Sequence, residues 1–181
     1  MMGNYERLRA FVPLLGAALL GVAIASAIAG VKLTGAAPAA GQSIYAMQTT
    51  SSSTWFTTAS ETYVDVPGAA GNISVPRNST AFVVLRFAAS SVCDMALGGS
   101  CLVRARINAD DASQGEVVWM RTPTYGALDG PGARAMDWST GPLPPGSYAI
   151  QVQARIDRGS GAGGSFGATS WHLTIEGVKT S

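Results

Sequence analysis

In residues 147–157, SYAIQVQARID, apolar and polar side chains alternate without a break from Ile150 onward. Tyr148, Ile150, Val152, Ala154 and Ile156 fall on one side of an extended chain, with Gln151, Gln153, Arg155 and Asp157 on the other. A period of two belongs to a strand with one face in a core and one in water; a helix built on the same residues would scatter its apolar groups around the circumference. The lead-in TGPLPPGS, with three prolines and two glycines, is a turn or irregular connection. Similar segments run from Ile44 to Thr49, Trp55 to Thr58, Thr62 to Val66, Asn72 to Val75, Thr80 to Ala89, Cys101 to Asn108, Glu116 to Arg121, Arg134 to Ser139 and Ser170 to Val178. The breaker clusters PGAAG, PRNS, GALDGPGA and RGSGAGGS lie between them. About ten short strands with no helical period among them predict an all-β domain over residues 44–181, an antiparallel two-sheet β-sandwich of jelly-roll type.

The N-terminus follows a different pattern. Arg7 and Arg9 precede an uncharged apolar run from Phe11 to Val31, which as a helix would extend roughly 31 Å, about the hydrocarbon thickness of a bilayer. This N-terminal hydrophobic helix reads either as a signal peptide, cut at Ala27-Ile28-Ala29 or Ala37-Pro38-Ala39, or as a retained membrane anchor. Either way the rest of the chain is expected to be extracytoplasmic, secreted or anchored, with the basic residues on the cytoplasmic side. The expected organisation is therefore a leader or anchor at 1–31, a linker at 32–43 and the sandwich at 44–181. Membrane contact is confined to residues 11–31, and only if they are kept.

Two cysteines, Cys93 and Cys101, are the only ones in the chain. The alternation through Val83, Leu85, Phe87, Ala89 and Ser91 reaches Cys93, and that through Ile107, Ala105 and Val103 reaches Cys101. This predicts both sulfurs on one face of a single hairpin, joined as a structural disulfide. Closing so short a loop is worth roughly 2.6 kcal/mol in the chain-entropy model. A metal or redox pair would need a C-x-x-C or added ligands, and the chain has one histidine and no such motif.

Catalytic signals are absent from the pattern. His172, in SWHLTIEGV, falls in phase with Thr174 and Glu176 on an outward face, and no G-x-S-x-G elbow accompanies it. The carboxylates Asp110, Asp111, Glu116, Asp129, Asp137 and Asp157 sit in turn-like contexts rather than as a facing pair. NADDASQGE departs from a calcium loop because Ala112 stands where a ligand is needed. No catalytic residue, metal or cofactor is predicted. A net charge of +1, from 12 basic and 11 acidic residues, gives no electrostatic case for nucleic acid.

What remains are aromatic and apolar residues in phases that a core does not use. Trp55 and Phe56 are adjacent in one strand and must face opposite sides. Phe82 and Val84 lie opposite the Val83-Leu85-Phe87 face, so their strand is apolar on both sides, as in a covered or assembling sheet. Trp119, Tyr125 and Trp138 flank the long connection MRTPTYGALDGPGARAMDWSTG and suit a sugar-stacking platform or a subunit patch. These seven residues form the candidate ligand or assembly surface. The expected function is a non-catalytic module for binding or assembly, with homo-oligomerisation. The alternative is a small carbohydrate-binding or carbohydrate-active hydrolase domain.

TYVDVPG, ISVPRNSTAFVVLRF, the cysteine pair before LVRARIN, LPPGSYAIQVQA and SWHLTIEG together resemble bacterial secreted jelly-roll proteins, broadly of the C1q and tumour-necrosis-factor type. The resemblance spans roughly residues 60–178. It implies a sandwich that trimerises through aromatic and aliphatic sheet faces, and it carries over no catalytic residue.

Overall fold

The computed structural model describes residues 42–95, 98–121, 132–159 and 161–180. The leader or anchor, most of the linker and Tyr125 lie outside the described residues. Ten strands form: β1 (Gln42–Ser52), β2 (Phe56–Thr58), β3 (Val64–Val75), β4 (Thr80–Asp94), β5 (Ser100–Ile107), β6 (Asp110–Asp111), β7 (Val117–Arg121), β8 (Gly132–Ser139), β9 (Gly146–Asp157) and β10 (Ser165–Thr180). No helix occurs among the described residues.

Two antiparallel sheets share the strands. Sheet A runs β1-β10-β4-β8, with β2 taking over from β1 along the same edge of β10; sheet B runs β3-β9-β5, with β6 and β7 sharing the far edge of β5. The period of two fixes which side of each strand is buried. Val83, Leu85, Phe87 and Ala89 of β4 face Val152, Ala154 and Ile156 of β9 and Val103 and Ala105 of β5 in a common core. Each fully buried aliphatic or aromatic side chain there stabilises the fold by about 1.5–3 kcal/mol relative to exposure. Phe87 is central, with ring centroids 5.4 Å from Trp119 and 6.3 Å from Trp171.

The PGAAG cluster does not separate two strands. β3 runs through it as an irregularity, with the register slipping between Asp65 and Ala70 opposite β9. Pro67, which has no N–H to give, and Gly68, at φ +76°, occupy this gap in the ladder. The Gln151 side-chain amide fills it, donating to the Val66 carbonyl at 3.2 Å and the Ala69 carbonyl at 3.4 Å.

The disulfide forms between Cys93 and Cys101, with Cα atoms 5.9 Å apart, but not within a hairpin. Cys93 ends β4 in sheet A and Cys101 lies in β5 of sheet B, so the bond crosses the sandwich. Inward-facing positions on opposed sheets meet across the core just as readily as neighbours in one sheet. Alternation alone does not distinguish the two arrangements.

Candidate functional site

The two outer faces of the sandwich differ in chemistry. On sheet B, Arg104 and Arg106 of β5 and Gln151, Gln153 and Arg155 of β9 point outward. Arg104 donates from Nε to Gln153 Oε1 at 3.0 Å, and Gln153 Nε2 donates to Asp65 Oδ1 at 2.7 Å. Asp111 lies 3.2 Å from Arg104 and 3.6 Å from Arg106. The Arg104 guanidinium stacks 3.7 Å above the Tyr63 ring, and Arg155 holds Glu116 through two contacts of 2.8 and 3.1 Å. The Tyr63 hydroxyl donates to the same Glu116 carboxylate.

This arrangement sets the ionisation of its members. The hydrogen bond from Arg155 holds the Glu116 carboxyl below its usual range, against an opposing effect of partial burial. Burial, then the hydrogen bond to Glu116, pushes the Tyr63 hydroxyl up to about 12. The hydrogen bond to Glu116 also raises Arg155. The face is thus knit from one strand to the next by its own opposite charges, leaving Val118 as the exposed large apolar side chain on this side.

The outer face of sheet A has no such network at the end where β1 begins. Directly paired residues in antiparallel strands point to the same side, so the register places Ile44, Val178 and Phe82 in one row across β1, β10 and β4. Met47, Glu176 and Val84 make the next row. Ile44 is 58% exposed and Met47 68%, while Phe82, Val84 and Val178 are half-buried. Beyond them the Arg86–Asp137 pair at 3.1 Å, with Glu176 3.9 Å from Arg86, returns the surface to polar chemistry. Sequence phase singled out Phe82 and Val84. Ile44, Met47 and Val178 join them only through strand pairing, although Val178 already lay in phase with His172, Thr174 and Glu176.

Two of the sequence candidates do not belong to a surface. Trp119 is 5% exposed and Trp138 1%, a correction to their expected place on a ligand or assembly patch. The register slips between Cys101 and Leu102 opposite β7, leaving Trp119 as the extra residue, so that it and Met120 both turn inward. Its indole N–H donates to Ser91 Oγ at 2.8 Å. Trp138 follows Arg134 and Met136 on the inner side of β8 and donates its indole N–H to the Gly115 carbonyl at 3.0 Å. Phe56 is half-buried, edge-on to Phe166 at 6.4 Å. Trp55, its neighbour, is 55% exposed on the outer face.

Two recesses accompany these faces. One, of about 320 Å3 at an end of the sandwich, is lined by Ile107, Asn108, Asp110, Leu143 and Tyr148 among others. The other is open and lined by Ser51, Ser52, Ser53, Ser170 and His172. Among the described residues no hydrogen bond joins the His172 imidazole to these hydroxyls or to a carboxylate, and no group of three potential metal ligands converges. The chain matches no protein-family model and no curated protein.

Proposed function

We propose that the chain is a non-catalytic, extracytoplasmic β-sandwich module that assembles with copies of itself, as a trimer, through the outer face of sheet A. The observation that carries this reading is the contrast between the two outer faces. Sheet B satisfies its own charges across four strands, whereas sheet A presents an apolar row of Ile44, Val178 and Phe82, extended by Met47 and Val84 on either side of Glu176. Burying Ile44 and Met47 alone would contribute about 1–2 kcal/mol each, before the cost of association is met.

The strand order supports the jelly-roll reading and the resemblance behind it. From β2 onward every connection crosses between sheets except those joining β5, β6 and β7, and the eight strands other than β2 and β6 sort as β1-β10-β4-β8 and β3-β9-β5-β7, the order of two interlocked Greek keys. The disulfide supports an oxidising destination. The Arg partners of Glu61, Asp111, Glu116 and Asp137 support a non-catalytic role, since carboxylates held in ion pairs are poorly placed to shuttle protons.

Size-exclusion with light scattering on the processed protein tests the reading. We expect three times the protomer mass. A Phe82→Asp, Val84→Asp double variant, which sets two carboxylates beside Glu176 on half-buried outer positions, is expected to be monomeric with a native circular dichroism spectrum. A wild-type monomer at the highest attainable concentration would sink the proposal.

A further inference from the structure

We infer that the Trp55 end of sheet A is a binding site for an extended, uncharged saccharide, with the Trp55 indole as stacking platform and Ser51, Ser53, Ser170 and His172 as a hydrogen-bonding strip beside it. This goes beyond self-assembly and uses a different part of the sheet: Gly167, beneath Trp55, is eleven residues along β10 from Val178.

Four tryptophans occur in the chain. Trp119, Trp138 and Trp171 are 1–5% exposed, but Trp55 is 55% exposed. It is nonetheless seated. Its six-membered ring lies over the backbone of Gly167, where an added Cβ would stand 2.4 Å from Cζ2 and 3.0 Å from Val92 Cγ1. Glycine at 167 leaves room for this approach, and the indole is otherwise open to solvent. A planar aromatic group held in this way meets a pyranose ring with apolar C–H contacts at little entropic cost.

The polar strip is equally fixed. The Thr54 N–H donates to Ser52 Oγ at 3.0 Å, and the Thr169 hydroxyl donates to the Ser53 carbonyl at 2.8 Å, tying the segment before Trp55 to β10. The β10 register slips between Thr169 and His172, where Ser170 takes φ +49° and stands exposed. Ser51 pairs with His172 across the ladder, so both face outward. The recess these residues line contains hydroxyls and an imidazole and no Asp, Glu, Lys or Arg, which fits a neutral polyhydroxylated ligand rather than an anionic or cationic one.

Length and shape narrow the class. From Gly167 to His172 the strand runs opposite Val92 to Ala88 of β4, four steps or roughly 13 Å at the ordinary rise, too long for one sugar ring and suited to an oligosaccharide. The surface is open, so the ligand would lie along it. A flat β-1,4-linked chain follows such a strip, whereas a coiled α-1,4 chain lifts away from it.

The test uses the protein as isolated from its host with cellohexaose, xylohexaose and chitohexaose as probes and maltohexaose as the coiled control. Because Trp55 is the tryptophan open to solvent, acrylamide quenching of intrinsic fluorescence reports on it. At least one flat hexasaccharide is expected to protect it saturably. Because Trp55→Ala removes the reporter, the variants are compared with wild type by titration calorimetry, in which Trp55→Ala should weaken that binding roughly tenfold with unchanged melting temperature and oligomeric mass. Gly167→Ala, which keeps the indole but lifts it from its seat, should weaken it comparably, and His172→Ala by several-fold. Protection by maltohexaose alone, by none of the probes, or binding within twofold of wild type in both Trp55→Ala and Gly167→Ala would overturn the inference. The light-scattering mass of the same samples scores self-assembly separately.

Discussion

Reducing the Cys93–Cys101 bond removes a constraint without changing a side chain's volume, and its cost follows from the connectivity. The two cysteines are 8 residues apart in sequence, so the chain-entropy relation gives a loss of about 2.6 kcal/mol, arising in the unfolded chain. Over the 139 residues from Gln42 to Thr180, an unfolding entropy near 2.1 cal/mol/K per residue converts this to a fall in Tm of roughly 9 °C. The assay is a thermal melt followed by circular dichroism, with and without a phosphine reductant, after mass spectrometry has established complete reduction. The crossing of the bond between sheets adds a local signature. Amide exchange should accelerate at the end of β4 and the start of β5 before it does in the middle of β9. A fully reduced protein melting within about 2 °C of the oxidised form would refute the reasoning.

The sheet B network makes a pH-dependent prediction. Glu116 is held low, so its contribution to stability is present above the ordinary carboxylate range and lost as pH falls through its depressed value. Tyr63 is held high, so its contribution is present below about 10 and lost as pH rises through about 12. Burial also raises Tyr45, so ultraviolet titration should show Tyr63 and Tyr45 ionising late, and Glu116→Gln should lower Tyr63 alone; late ionisation unmoved by that substitution would count against the network. In the core, Trp119→Phe strands the Ser91 hydroxyl from its indole donor and is expected to cost about 1–3 kcal/mol in urea unfolding. A neutral result there would mean that the Ser91 contact to Met120 Sδ at 3.5 Å suffices.

How much of this was legible beforehand follows from what a period of two encodes. It tells which residues of a strand share a face, so the inward series from Val83 to Cys93 and from Tyr148 to Ile156 could be read directly. It is silent on which strand lies alongside, so the cross-sheet disulfide looked like a hairpin staple. Where a bulge breaks the period the reading fails locally. Trp119 went inside because the ladder slips at Cys101/Leu102, and residues 64–75 stayed one strand because Gln151 fills the gap at Pro67. Phe82 and Val84 were visible as an out-of-phase apolar pair. Trp55 was visible as one of two adjacent aromatics, but its seat on Gly167 is a contact across 112 residues of sequence, which no local pattern carries.

Sheet A is organised around its last strand. β10 pairs with β1 and β2 on one side and β4 on the other, so three earlier segments wait for a common template that leaves the ribosome after all of them. Until it arrives, β1 and β2 have no ladder to join and β4 has only β8 to pair with. Closure of sheet A therefore waits on long-range pairing, and the segments made before β10 stay unpaired along that edge until it is in place.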